Sequence, residues 1–315
     1  MTCFRPLRGW RAAVPNENGK YPIVFSAKKR HSDAYLPLDL ACGQCVGCRL
    51  ERSRQWALRC VHELKCHDSG CFLTLTFNSS SLRERGHSSL SVRDVQLFMK
   101  RVRKRFGSGI KFMASGEYGD DFGRPHYHVL LFGVFFPDQK YLRTTGSGNK
   151  LYRSAILDQL WPFGYCSVGS LTFESAAYVA RYVLKKQVGK LLTHGSFSMS
   201  CAELDYQRGV IIPRRSEFAT MSNGLGKAWF DRYYREWYYS DSCIHDGREL
   251  SIPRYYDRQY EVIDPDAFEQ VKIARRRRAR VHKSNTTDRR LRVRETTQDA
   301  RLNRLFRAGT MSEGV

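Results

Sequence analysis

The residues best suited to chemistry lie in the middle of the chain. His126-Tyr127-His128 opens the apolar run Val129-Leu130-Leu131-Phe132, which reads as a β-strand. Alternate residues of a strand share a face, so both imidazoles project from one side of a sheet and Tyr127 packs on the other. Two imidazoles so placed can hold one divalent ion, although a polar, exposed sheet face also accounts for the bare pair. Upstream, Ser115-Gly116-Glu117-Tyr118-Gly119 carries an acid with glycines on both sides. If the Gly-rich segment from Ser115 to Pro125 is a hairpin loop, Glu117 returns beside the histidines, with Asp120 and Asp121 as the other loop acids. Two imidazoles and a carboxylate with open positions suit a hard or borderline ion such as Mg²⁺ or Mn²⁺ that must also bind a phosphate oxygen. Downstream, Tyr178, Tyr182 and Lys185 fall at i, i+4 and i+7 of a helical segment, on one face. Tyrosine can form covalent intermediates, but its high solution pKa makes it a poor nucleophile unaided. A neighbouring ammonium favours the phenolate. An amphipathic helix with half-buried tyrosines is the plainer reading of that stripe alone.

Several elements must position these groups. Cys71–Phe77 alternates with period two and reads as a strand. Ser91 offers an N-cap with Asp94 at the third helical position, and Val92, Val95, Phe98, Met99, Val102 and Phe106 recur at helical spacing until Gly107. Residues 111–114 and 127–132 read as strands, 151–160 as a helix, 165–168 as a short strand and 175–186 as a helix. This order predicts an α+β fold, with an antiparallel or mixed central sheet and helices packed on one face. Residues 1–40, interrupted by Pro6, Pro15, Pro22 and Pro37, read as irregular, and a helix follows over 49–59.

Taken together, these stretches resemble the HUH endonucleases, the superfamily of rolling-circle replication initiators. The similarity is strongest to the initiators of Microviridae single-stranded DNA phages of gokushovirus type. It rests on Cys42–Trp56, Phe72–Phe77, Gly116–Gly119, Gly123–Gly133 and Trp161–Lys186. The resemblance implies an antiparallel HUH or RRM-like core over residues 66–190. It makes His126, His128 and Glu117 metal ligands, Tyr178 and Tyr182 the nicking and closing nucleophiles, and Lys185 the motif lysine. Thr74 and Thr76 build the sheet beside the metal. It further implies origin and single-stranded DNA as substrate, a host helicase and polymerase as partners, and the bacterial cytoplasm as the place of action. The expected reaction is nicking through a phosphotyrosine and religation; the alternatives are a non-catalytic single-stranded nucleic-acid binder and a water-activating metallo-phosphodiesterase.

Composition bounds the partners. Fifty-three Lys and Arg against 31 Asp and Glu give a formal charge of +22, which favours polyanions. No apolar run spans a membrane and no signal peptide is evident, so no membrane role is expected. Nor is a small-molecule cofactor: Gly224-Leu225-Gly226-Lys227 lacks the longer nucleotide phosphate loop. Arg275, Arg276, Arg277 and Arg278, with Arg181 and Lys186, are candidate phosphate contacts. Aromatic residues from Trp229 to Tyr238 either stack bases or pack.

Ten cysteines without an export signal indicate a reducing compartment. Cys42, Cys45 and Cys48 either chelate a structural Zn²⁺, with Cys3, Cys60, Cys66 or His62 as the fourth ligand, or pack in a tight turn under the next helix. Four segments are expected: a Cys-containing N-terminal segment and helix (1–65), the core (66–190), an aromatic-rich accessory region (191–263) and a basic helical or disordered tail (264–315).

Overall fold

The computed structural model describes residues 3–25, 34–119, 123–185, 202–205 and 210–307; the side chains of 181–185, 202–205, 210–213 and 305–307 are outside this description. The chain divides into two compact units, Met1–Glu51 with Ala274–Arg304 and Arg52–Ile273 with Leu305–Val315.

In the first unit, β1 (Leu7–Ala12), β2 (Ile23–Val24) and β3 (Tyr35–Leu40) form a small antiparallel sheet in the order β2-β1-β3. This departs from the irregular segment expected of residues 1–40. The prolines are tolerated because they avoid the inner strand: Pro37 sits on edge strand β3 opposite Trp10, and Pro22 precedes β2.

Helix α1 (Val46–Leu64) precedes the main sheet. The second unit continues with β4 (Gly70–Phe77), α2 (Ser79–Arg85), α3 (Val92–Phe106), β5 (Lys111–Tyr118), β6 (Pro125–Phe132), β7 (Lys140–Thr144) and β8 (Lys150–Arg153). Next come α4 (Ala155–Leu160), β9 (Gly164–Ser170), α5 (Phe173–Lys185), β10 (Ala202–Asp205), β11 (Val210–Pro213) and β12 (Phe218–Met221). Seven strands form one antiparallel sheet in the order β12-β5-β6-β4-β9-β8-β7.

The fold is thus α+β as expected, but helices cover both faces of the sheet rather than one. Leu73, Leu75, Tyr127, Val129 and Leu131 face α3 and α4, packing on Val95, Phe98, Val102 and Leu157. Phe72, Met113, Leu130 and Phe132 face α1 and α5, packing on Ala57, Cys60, Ala176, Val179 and Ala180. This double cover explains why β6 is buried along its whole length and reads as a continuous apolar run.

The single helix expected over 151–160 is instead β8 followed by α4. Ser154 marks the switch: its hydroxyl accepts from Leu157 N at 3.1 Å and donates to Asp138 at 2.6 Å. In α3, by contrast, the expected cap is present. Ser91 accepts from Arg93 N at 3.2 Å and Gly107 ends the helix.

The chain continues through α6 (Lys227–Ser240), β13 (Cys243–His245), β14 (Arg248–Leu250), α7 (Arg254–Ile263), α8 (Pro265–Val281) and α9 (Asp288–Arg307). Phe230, Trp237, Tyr238 and Tyr256 form a second aromatic core with Leu58 and Phe268. His62 lies inside it, its ring 5.0 Å from that of Trp237 and its Nδ1 3.1 Å from Tyr256 Oη. Packing therefore accounts for these aromatics. The Gly224–Lys227 segment is a structural turn: Gly226 N donates to the buried Glu63 carboxylate at 2.7 Å. Among the described residues, no helix is long and apolar enough to cross a membrane.

Candidate functional site

Three adjacent strands deliver the candidate ligands. The β5–β6 register pairs Glu117 with His126 and Ser115 with His128. The β4–β6 register pairs Thr76 with His126 and Thr74 with His128. Directly opposed residues share a sheet face, so the carboxylate stands beside both imidazoles. Glu117 is therefore a strand residue, not a loop acid; β5 runs on to Tyr118 before the chain turns. Gly116 serves the opposite face, where a Cβ would come within 2.8 Å of Phe218 Cε1 and 3.1 Å of Tyr127 Cε1.

Glu117, His126 and His128 are each no more than 4% exposed, so each polar atom needs a partner or an ion. His126 Nε2 and His128 Nε2 both lie 3.8 Å from Glu117 Oε2. One ligand atom from each of the three falls within 4.8 Å of the others. The far ring nitrogens are held from behind. His126 Nδ1 is 3.2 Å from the Arg124 carbonyl, which fixes it as the donor. His128 Nδ1 is 3.2 Å from Thr74 Oγ1. His128 Nε2 is buried with no hydrogen-bond partner, while Ser115 donates to Glu117 Oε1 at 2.8 Å. An orphaned imidazole nitrogen aimed at a carboxylate, with outer groups fixing each ring, fits a divalent-ion site.

The electrostatics agree. Burial pushes the His128 imidazole down to about 4, despite the nearby Glu117 carboxylate, so the ring is neutral and can ligate near neutral pH. Burial works against the Glu117 carboxylate, but His128, His126 and the Ser115 hydroxyl outweigh it and hold its pKa below the usual glutamate value. Tyr127, between the histidines, faces away. Burial and the adjacent Asp94 raise its phenol well above the ordinary value, and its hydroxyl donates to Asp94 at 2.5 Å. It is a packing residue.

Tyr178 joins the cluster from α5. Its hydroxyl donates to Glu117 Oε2 at 3.5 Å, and its ring lies edge-on to His128 with centroids 5.1 Å apart. The helix is anchored to α1, where Ser53 donates to the Ala177 carbonyl at 2.8 Å. Tyr182, Lys185 and Arg181 lie on the same helix, but their side chains, and Lys186 altogether, lie outside the described residues. Arg275, Arg276, Arg277 and Arg278 lie on α8 in the other unit, Arg275 half-buried and the rest exposed. In that unit Cys42, Cys45 and Cys48 cluster with Cys3, whereas Cys60 and His62 are buried elsewhere.

Beside His128 the sheet face opens into a cavity of about 360 Å³ lined by Thr74, Thr76, Arg143, Tyr165 and Ser167 among others. Tyr165 is 70% exposed there. Sequence reasoning missed Ser115, Arg143 and Tyr165. Ser115 was within reach, since it lies two residues before Glu117 on a strand and so shares its face. The other two depend on which strands flank β4.

Known proteins bear on this architecture. Residues 70–187, spanning the sheet strands β4 to β9 and α5, match a family model described as the phage-type replication-associated protein ORF2. The chain is 32% identical over 277 residues to replication-associated protein VP4 of Bdellovibrio phage phiMH2K, covering 85% of this chain and 80% of that one. It is 30% identical over 287 residues to replication-associated protein ORF2 of Spiroplasma virus 4, covering 85% and 83%. Replication-associated protein ORF4 of Chlamydia phage 1 is 31% identical over 244 residues, 75% of this chain and 57% of that protein. No solved structure matches at a significant level. With relatives of this identity matched over most of both lengths, the chain belongs to the family of replication-associated proteins of Microviridae-type phages.

Proposed function

We propose that this chain initiates rolling-circle replication by nicking single-stranded DNA at the origin through a phosphotyrosine link and later rejoining it. Family membership carries the coarser role, in phage replication. The observation that supports the chemistry is the Tyr178 hydroxyl, 3.5 Å from Glu117 Oε2 in a cluster with two buried imidazoles. Glu117, His126 and His128 hold a divalent ion, Mg²⁺ or Mn²⁺ by ligand type. When bound, that ion polarises a non-bridging oxygen of the scissile phosphate.

Tyr178 or Tyr182 loses its phenolic proton and attacks phosphorus in line. The tyrosyl O–P bond forms as the bond to the 3′ oxygen breaks, and that oxygen leaves as a hydroxyl able to prime a polymerase. The other tyrosine cuts the regenerated junction after one circuit. The free 3′-hydroxyl then attacks the first tyrosyl phosphate and releases a closed circle. Each exchange conserves one phosphodiester-level bond, so joining needs no nucleotide hydrolysis. Lys185 stabilises the phenolate and the developing phosphorane charge. Arg181, Lys186 and the Arg275–Arg278 run contact phosphates, with the exposed Tyr165 placed to stack a base at the cavity. A host helicase and polymerase in the bacterial cytoplasm complete the cycle.

Incubation with single-stranded origin DNA and Mg²⁺ or Mn²⁺, read on a denaturing gel, tests this reading. A protein-linked strand is expected, and it disappears in the Tyr178→Phe, Tyr182→Phe double variant. Cleavage without an adduct points to an activated water, and binding without cleavage to a plain single-strand binder; either result sinks the proposal.

A further inference from the structure

We infer that Cys3, Cys42, Cys45 and Cys48 together hold one structural Zn²⁺ ion. The four sulfurs lie within 4.8 Å of one another. Cys3 Sγ is 3.6 Å from Cys42 Sγ and 3.9 Å from Cys45 Sγ. A tetrahedral zinc with bonds of about 2.3 Å sets its sulfurs about 3.8 Å apart, so the cage already has the size of one ion. A disulfide needs sulfurs about 2 Å apart, and all four thiols are free.

The backbone around the cage suits thiolates. Phe4 N donates to Cys45 Sγ and Cys42 N to Cys3 Sγ, both at 3.3 Å. Gln44 N and Cys45 N converge on Cys42 Sγ at 3.4 and 3.3 Å. Gly43, at φ +75°, takes the left-handed conformation that folds the knuckle back on its own sulfur. Cys45 accepts the first hydrogen bond of α1 through its carbonyl, and Cys48 lies in the first turn, where the helix dipole favours negative sulfur.

Thiols packed as small apolar groups would belong to a larger apolar core. Here the cluster is the four cysteines with only Phe4 and Ala41 against them. So small a core does not hold a fold together without a staple. The donor set is closed and all-sulfur, which selects a soft or borderline ion over Mg²⁺ or Ca²⁺. As four Zn–S bonds form, four S–H protons pass to solvent, and no electron moves. The ion ties the start of the chain to the start of α1 across a 39-residue separation. It also fixes Phe4 and Arg5, which meet α9 through Arg294 (5.6 Å over the Phe4 ring) and Glu295 (2.9 Å from Arg5).

Metal analysis of the full-length chain, purified under reducing conditions with zinc present, tests this site. One zinc per chain is expected, lost in Cys3→Ser and Cys45→Ser but kept in Cys66→Ser and His126→Ala. Because the cysteine variants can fail to fold, the wild-type chain is also loaded with Co²⁺. Intense thiolate-to-cobalt charge transfer with tetrahedral d–d bands is the expected spectrum. Zinc absent from the wild-type chain, iron in its place, zinc lost in His126→Ala but kept in Cys3→Ser, or a cobalt spectrum without sulfur bands each overturns the assignment.

Discussion

Glu117, His126 and His128 gather oxygen and nitrogen donors on a sheet face, whereas Cys3, Cys42, Cys45 and Cys48 gather four sulfurs around a knuckle. The first cluster has three donors and a cavity beside it, which leaves coordination positions for a phosphate. The second is complete in itself. That is the distinction between sites built to react and sites built to hold. The supporting groups differ in kind as well. Side chains and a carbonyl on neighbouring strands orient the imidazoles and the carboxylate, while backbone N–H groups of the local turn converge on the sulfurs.

The largest effect separating the two clusters is expected from His126→Ala. Single-strand cleavage falls by about 10³-fold or more, as when a member of a concerted catalytic unit is removed. Zinc content and DNA binding stay at wild-type level. Timed gel assays alongside filter binding check this, and full cleavage in the variant removes the histidine from the reaction. A smaller effect is expected from Ser115→Ala, which deletes the hydroxyl on Glu117 Oε1 without touching a ligand. Loss of such an outer partner costs roughly 10–100-fold in metal affinity or activity. Titrating Mn²⁺ against cleavage rate distinguishes weakened metal binding, which excess metal rescues, from a merely structural defect, which it does not. The smallest effect is expected from Tyr127→Phe, on the opposite face. It loses the hydrogen bond to Asp94 and costs about 1.5–3 kcal/mol of stability by denaturant titration. Cleavage stays within a few-fold of wild type, and a collapse of cleavage in a folded variant shows that the two faces are coupled.

Much of the core is legible in the sequence because its signals are local. The alternation of β4, the Ser91 cap, the stop at Gly107 and the shared face of His126 and His128 all follow from backbone periodicity or capping. The misreadings share one cause. Residues 1–40 read as irregular because Pro37 is unfavourable inside a sheet, yet an edge strand leaves its missing N–H unpaired at no cost. Leu151–Leu160 reads as helical throughout because its first residues become a strand only by pairing with β7 and β9. Glu117 reads as a loop acid because its flanking glycines resemble turn residues. Gly116 is in fact demanded by Phe218, a contact 102 positions away in the chain that no local pattern announces.

The sequence by itself determined the donor types, two imidazoles on one strand face and three thiols on one knuckle, because spacing of two or three residues sets direction within a single element. Tertiary structure decided what completes each set. Glu117 reaches His126 through the β5–β6 register, Tyr178 reaches Glu117 because α5 packs on that sheet face, and Cys3 joins its partners from the far end of the N-terminal segment. Register and long-range closure are settled by packing of whole faces, and a linear pattern carries no record of which face meets which.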